Sequence, residues 1–245
     1  HELLKGIKKK IFKFLLSKTS KGIVLSESLM GNMSPFIREK NIYVLYNFVE
    51  DYLFPKKEII EKKQRDSNLK IIFLSNLMEE KGIFELLQAL QILEDKGIKY
   101  EAKIAGNIDD KNKKKIEKYF KLLKNTTYCG VVYGEEKRKL LLWGNIFILA
   151  TYYTMEGQPI SILEAMAAGN IILTTKHAGI PDIFKDQFNG YYVEKQDSKS
   201  IADKLQYISK NQEACNKIKQ VNFREVQKKY TVRNFIEKIT YIFNQ

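Results

Sequence analysis

From position 69 onward the chain alternates between short apolar runs and longer stretches whose apolar residues recur every three or four positions. Residues 70–75, 100–105, 126–129, 146–150 and 171–174 have the length and branched or aromatic content of buried strands. Between them, residues 81–96, 113–124, 135–143 and 160–168 carry the helical period. Strands that are apolar throughout are buried on both faces, and helices of this length between them are the crossovers of a parallel sheet. The pattern predicts an α/β fold, a Rossmann-like parallel sheet with helices on both faces. Its ligand belongs at the carboxyl ends of the strands.

Residues 1–55 do not continue that pattern. They offer an amphipathic helix over 3–16, a strand over 22–25, a helix over 27–37 and a strand over 42–46. Two strands and two helices cannot bury an adequate core alone. This front end therefore reads as the closing part of a second α/β domain that begins outside the chain. Residues 56–68 are charged and poor in apolar side chains and read as a linker to the sheet domain at 69–230. The final stretch, 231–245, is a helix with Phe235, Ile236, Ile239 and Ile242 on one stripe, which must pack against something.

Composition narrows the function classes. With 44% hydrophobic and 29% charged residues in 245, the chain has an ordinary globular balance. No apolar run approaches the roughly 18 residues of a membrane-spanning helix. The first 18 residues are basic without a small-residue cleavage site, so they do not read as a signal peptide. Cys129 and Cys215 suggest neither a disulfide framework nor a metal knuckle, and a cytoplasmic, reducing setting fits. The net charge of +13 leaves four readings: nucleic acid, an anionic membrane surface, polyphosphate substrates, or solvated lysine-rich helix faces. The lysines are spread along the chain, with runs at 8–10 and 113–115. They form no aromatic-interleaved basic motif and no zinc-finger spacing, so nucleic acid is not the expected partner.

The most informative window is 156–169, E-G-Q-P-I-S-I-L-E-A-M-A-A-G, which leads from the strand at 146–150 into a helix. Pro159 sits near the first helical position, where its missing N–H is harmless. The free amides around Gly157, Ile160, Ser161 and Ile162 point out of a helix start carrying about half a positive charge, a seat for phosphate. Glu156 on the loop and Glu164 one turn inside the helix border one pocket and can accept hydrogen bonds from vicinal hydroxyls. The plain structural alternative is a core helix with Glu164 in an ion pair.

That string resembles the E-x7-E signature of the retaining glycosyltransferases of family 4 (group 1), enzymes of the two-domain GT-B fold. On this resemblance the chain holds the end of the N-terminal domain and the whole C-terminal donor domain. Residues 74–82, L-S-N-L-M-E-E-K-G, resemble the family's first strand-to-helix loop, where an arginine and a lysine hold the donor diphosphate. Lys81 matches the lysine, and Asn76 stands where the arginine is expected. Phosphate neutralisation then falls on Lys81 and the helix start. Gly106 and Val131 lie in loops that resemble those cradling the nucleotide base. With Glu156, Gly157, Gln158, Pro159, Ile160, Ser161 and Glu164 they complete the implied donor-binding set. Residues 175–182, T-K-H-A-G-I-P-D, resemble the conserved tail of the donor domain and leave His177 either close to the sugar or in a packing or solvated role. Residues 42–49, I-Y-V-L-Y-N-F-V, resemble the strand that closes the acceptor domain, and His1 is left unassigned.

The resemblance implies transfer of a sugar, with retention, from a nucleoside-diphosphate sugar, most often UDP-linked in this family. The acceptor would be a glycan or a polyprenyl-lipid-linked molecule in capsule, exopolysaccharide or lipopolysaccharide synthesis, with Glu156 and Lys81 as the catalytic groups. No cofactor and no metal is implied, and no Asp-x-Asp motif occurs in the chain. The lysine-laced apolar helix at 3–16 suits either a peripheral position on the inner face of the plasma membrane or packing against the rest of its domain. A non-catalytic nucleotide-sugar or partner-binding module stays open as the alternative, favoured by Asn76.

Overall fold

A computed structural model describes residues 6–66 and 68–245; His1 and the first three residues of the 3–16 helix lie outside that span. The front of the chain forms helix α1 (Gly6–Ser17) and two parallel strands, β1 (Gly22–Val24) and β2 (Ile42–Val44), with Gly22 opposite Ile42. Their own core consists of Val24, Ile37 and Ile42. The helix expected over 27–37 is instead a 3-10 segment, Glu27–Asn32, followed by turns. Gly31 and Pro35 account for this. Glycine weakens a helix interior, and proline disfavours the helical conformation at the residue before it. The stretch expected to be a linker contains helix α2 (Lys57–Gln64), whose buried face is Ile60 and Lys63. A buried lysine is invisible to a hydropathy count.

The sheet domain is built on β3 (Lys70–Leu74), β4 (Glu101–Ala105), β5 (Thr126–Tyr128), β6 (Ile146–Leu149), β7 (Ile171–Thr174) and β8 (Gly190–Tyr192). All pairings are parallel and the order is β5-β4-β3-β6-β7-β8. This is the doubly wound order, in which the chain reverses direction across the sheet between its first and fourth strands, here β3 and β6. Ile71 and Ile72 pair with Ile146 and Phe147 at that seam, and all four are buried. Flanking helices are α3 (Ile83–Asp95), α4 (Lys113–Leu122), α5 (Gly134–Trp143), α6 (Ile160–Ala167), α7 (Ser198–Lys210) and α8 (Gln212–Lys229). β8, α7 and α8 were not expected from the pattern. The pair Asn189-Gly190 reads as a turn, but Gly190, at φ 149°, enters the sheet beside Ile172. Asn189 is buried, with its amide nitrogen bonded to Asn222 and Glu225 of α8.

The last helix, α9 (Val232–Asn244), leaves the sheet domain and lies against the front segment. Phe235 meets Phe48 at 4.6 Å between ring centres, Lys21 Nζ donates to the Ile242 carbonyl at 3.0 Å, and Val49 N donates to the Tyr230 carbonyl at 2.9 Å. Ile242 is buried, whereas Ile236, expected on the same packed stripe, remains exposed.

Two lysines lie in the interior. Lys63 Nζ donates to the carbonyls of Leu141 and Ala168 and to Asn170 Oδ1 at 3.2, 2.7 and 3.1 Å. Lys219 Nζ donates to the carbonyls of Lys63 and Asp66 at 2.9 and 3.0 Å, tying α8 to α2. Burial lowers both pKa values, that of Lys63 far below the ordinary lysine range and that of Lys219 to about 8. The unfolded chain then binds more protons than the folded one between about pH 8 and the free-lysine value of 10.5, so stability rises with pH across that window. Tyr100, Tyr191 and Tyr230 act in the opposite sense. Burial raises their pKa above 10.0, the folded state keeps protons that the unfolded chain loses, and stability falls above that pH. The melting temperature is expected to climb from about pH 8 to about 9.5 and to drop beyond about 10.5. Lys219→Met should flatten the climb. A Tm scan against pH checks this, and a curve falling steadily from pH 8 would contradict it.

Candidate functional site

The reversal between β3 and β6 sets two loops side by side at the carboxyl end of the sheet. The β3 loop ends in a 3-10 turn, Glu79–Lys81, followed by Gly82 at φ 81°. Gly82 is so close to the β6 loop that an added Cβ would stand 2.6 Å from the Ala150 carbonyl oxygen. This close approach carries Lys81 to Glu156, with Nζ 2.7 Å from Oε2 and side chains only 14% and 8% exposed. Thr151 is buried beneath the pair: its Oγ1 lies 3.1 Å from the Glu80 carbonyl and 3.2 Å from Glu156 Oε2, and accepts from Tyr153 N at 3.2 Å. The Tyr153 ring centre is 4.8 Å from Lys81 Nζ. A cation, a carboxylate and an aromatic face therefore share one small volume.

Helix α6 starts next to that loop. Pro159 is its N-cap, no side chain caps it and Ile160 is exposed, while Ile162 N, expected free, donates to the Pro159 carbonyl at 3.2 Å. Glu164 lies one turn inside and is buried, with Oε1 2.6 Å from Lys137 Nζ in the first turn of α5. Burial raises the Glu164 pKa above the ordinary glutamate value, and Lys137 draws it back only in part. Burial also opposes the charge of Lys137, but the hydrogen bond and charge of Glu164 outweigh it and lift its pKa above the ordinary lysine value. Each glutamate of the pair thus carries its own lysine. For Glu164, the ion pair named above as the plain structural alternative is present.

The other expected residues are distributed unevenly. Asn76 is exposed on the β3 loop. Gly106, at the end of β4, donates its N–H to the Gly130 carbonyl at 2.8 Å and accepts from Tyr128 OH at 2.9 Å, and exposed Val131 follows it across the β5 loop. Gly157 accepts from Gly179 N at 3.0 Å, Pro159 is buried and Ser161 is half-buried. Gln158 departs from expectation. Its side chain is buried and taken up by the front segment, with Nε2 donating to the Leu25 carbonyl at 3.0 Å and Oε1 accepting from Asn47 N at 2.7 Å. Its place between two polar groups of another segment makes it a tie between the two halves of the chain. Ser28 adds a second tie, donating Oγ to Asp182 Oδ1 at 2.7 Å. His177 is braced between Lys195 Nζ at Nδ1, 3.1 Å, and the Tyr153 carbonyl at Nε2, 2.8 Å.

Sequence reasoning missed Lys137, Thr151 and Tyr153. Thr151 and Tyr153 were within reach, because they directly follow a strand that flanks the reversal point. Lys137 was not, since one lysine in a helix start rich in charges carries no spacing signal. Among the described residues, no cluster of three or more His, Cys, Asp or Glu is placed to hold a metal, and no helix is long and apolar enough to cross a membrane.

Comparison with known proteins bears on the same region. The family model for glycosyl transferases group 1 matches residues 55–224. The capsular polysaccharide biosynthesis glycosyltransferase CapM of Staphylococcus aureus is 25% identical over 232 residues, 91% of this chain and 60% of its own. The amylovoran biosynthesis glycosyltransferase AmsK of Erwinia amylovora is 28% identical over 155 residues, 59% of this chain and 37% of its own. The crystal structure of Anabaena Alr3699/HepE in complex with UDP superposes with a TM-score of 0.84 at 16% identity, covering 99% of this chain and 69% of that one. The chain spans between 36% and 62% of the length of the curated relatives it matches.

Proposed function

The chain belongs to the glycosyl transferases group 1 family, and on that premise we propose that it is the donor-binding part of an enzyme transferring a sugar from UDP to a growing surface polysaccharide. The observation that carries this reading is the convergence of the Lys81–Glu156 pair and the uncapped start of α6 at the point where the sheet reverses. Breaking the anomeric C–O bond sends negative charge onto the departing diphosphate. Lys81 and the α6 amides are the positive groups available to it, held in place before the charge develops. Glu156 receives a hydroxyl of the sugar. Its contact with Lys81 keeps both groups oriented, but also offsets part of the lysine charge, so the helix end contributes more of the phosphate binding than it would beside a free lysine. Asn76 in place of a cation acts in the same direction.

Support for the UDP donor comes from the UDP complex of the structural neighbour, and support for a polysaccharide product from CapM and AmsK. Support for retention of anomeric configuration comes from the resemblance of residues 156–169, and support for a lipid-linked acceptor from the family resemblance as a whole. A peripheral membrane position rests on α1, where Ile7, Ile11, Phe14 and Leu15 are exposed among lysines. Calorimetric titration with UDP, GDP and a short oligonucleotide tests the reading. UDP is expected to bind with a micromolar-to-millimolar Kd and without added metal. Binding of the oligonucleotide alone would overturn it.

A further inference from the structure

The Lys137–Glu164 contact has no part in the reaction outlined above, yet it is closer to a designed site than to a surface ion pair. The N–O distance is 2.6 Å and the side chains are 18% and 9% exposed. Lys137 lies in the first turn of α5 and Glu164 one turn inside α6, two helices that both begin at the carboxyl end of the sheet. A surface pair contributes little, because water screens it and two long side chains must be ordered. A largely desolvated carboxylate is different: without a partner it takes up a proton. A protonated Glu164 has lost acceptor capacity, and vicinal hydroxyls are best held by a carboxylate that accepts from both.

We propose that Lys137 is a positioning residue for the donor nucleotide: it keeps the Glu164 carboxylate charged and aimed so that it accepts hydrogen bonds from the ribose hydroxyls, an inference that rests on the donor-binding reading above. Other groups around the pair work against Glu164 or are remote. Glu50, following β2, raises the pKa of both partners, and Tyr52 acts on Lys137. On the α2 and α8 side, Lys63 Nζ lies at the opposite end of α6, against the Ala168 carbonyl, and Lys219 Nζ lies on the carbonyls of Lys63 and Asp66. Among the described residues, Lys137 is therefore the cation that holds Glu164 in its charged form. Removing it leaves burial and Glu50 to push the carboxyl toward protonation, and that effect is greatest at low pH.

The test uses UDP and inorganic pyrophosphate as titrants at pH 6 and pH 8.5, with wild type, Lys137→Met, Lys137→Arg and Glu164→Gln. Lys137→Met is expected to weaken UDP binding by roughly tenfold at pH 6 and by much less at pH 8.5, where the carboxyl ionises without help. Pyrophosphate affinity should not change at either pH, and Lys137→Arg should restore UDP binding. Glu164→Gln should weaken UDP binding equally at both pH values, because its amide does not titrate; this variant also serves if Lys137→Met fails to fold. Equal loss for UDP and pyrophosphate would make Lys137 a phosphate ligand and overturn the proposal. A loss independent of pH, or no loss, would overturn it too. If wild type binds pyrophosphate but not UDP, the donor-binding reading itself is wrong.

Discussion

Lys81→Ala should weaken UDP binding by one to two powers of ten and also destabilise the fold by about 2–3 kcal/mol. The two effects have separate origins. Loss of affinity follows from removing a cation that meets the diphosphate, where a charge-assisted contact contributes about 1.5–3 kcal/mol. Loss of stability follows from what stays behind. The Glu156 side chain is 8% exposed, and without Lys81 its carboxylate keeps only Thr151 Oγ1, at 3.2 Å, among the described contacts. A nearly buried charge without its counterion is costly, more so than replacing both partners by neutral groups. The double variant Lys81→Ala/Glu156→Ala should therefore be more stable than Lys81→Ala alone, while binding UDP no better. Urea denaturation and calorimetry measure the two quantities independently. A single variant that binds UDP like wild type would remove Lys81 from the donor site, whatever its stability.

The second large effect is expected at Gly106. Its φ of 141° is open to glycine and strained for other residues, and an added Cβ would stand 1.8 Å from the Ser75 carbonyl oxygen. Backbone on one side and the ladder bond to Gly130 on the other leave no direction for relief. Gly106→Ala should cost more than about 4 kcal/mol, the range reserved for strain at special backbone positions, and should abolish UDP binding by displacing the β3 and β4 loops. Gly97→Ala is the matched comparison. Gly97 also has positive φ, at 66°, but open space around it, so only the conformational penalty of about 1 kcal/mol applies. Similar costs for the two substitutions would show that the Ser75 contact does not constrain the loop.

What could be read from sequence follows the strength of each local signal. The strands at 70–74 and 146–149 were legible because they are apolar on both faces, and that at 101–105 because Ala102 and Ile104 alternate with Glu101 and Lys103; the order of strands and helices then led to the sheet. That Glu156 and Lys81 stand on loops after central strands was legible from the order of strands and helices, and such loops are where the fold concentrates ligands. That these two residues touch was not: they are far apart in the chain, and only the near-contact of Gly82 with Ala150 brings them together. α2 was hidden because half of its buried face is a lysine whose side-chain nitrogen finds three oxygen acceptors in the interior. β8 was hidden because its first residue, Gly190, follows Asn189 in a pair that usually makes a turn. Gln158 was misjudged for a different reason. A motif read as one string invites every member into one role, whereas here the side chain in the middle turns away from its neighbours.

Because α9 returns to the front segment, the polypeptide crosses between the two lobes twice, near Val49 and at Thr231, and these crossings are themselves bridged to each other. Two adjacent crossings behave like the paired pins of a door. Any turn of one lobe against the other is expected to run about the line through them. Gln158, held by Leu25 and Asn47, and Ser28, held by Asp182, are further fastenings across the same door.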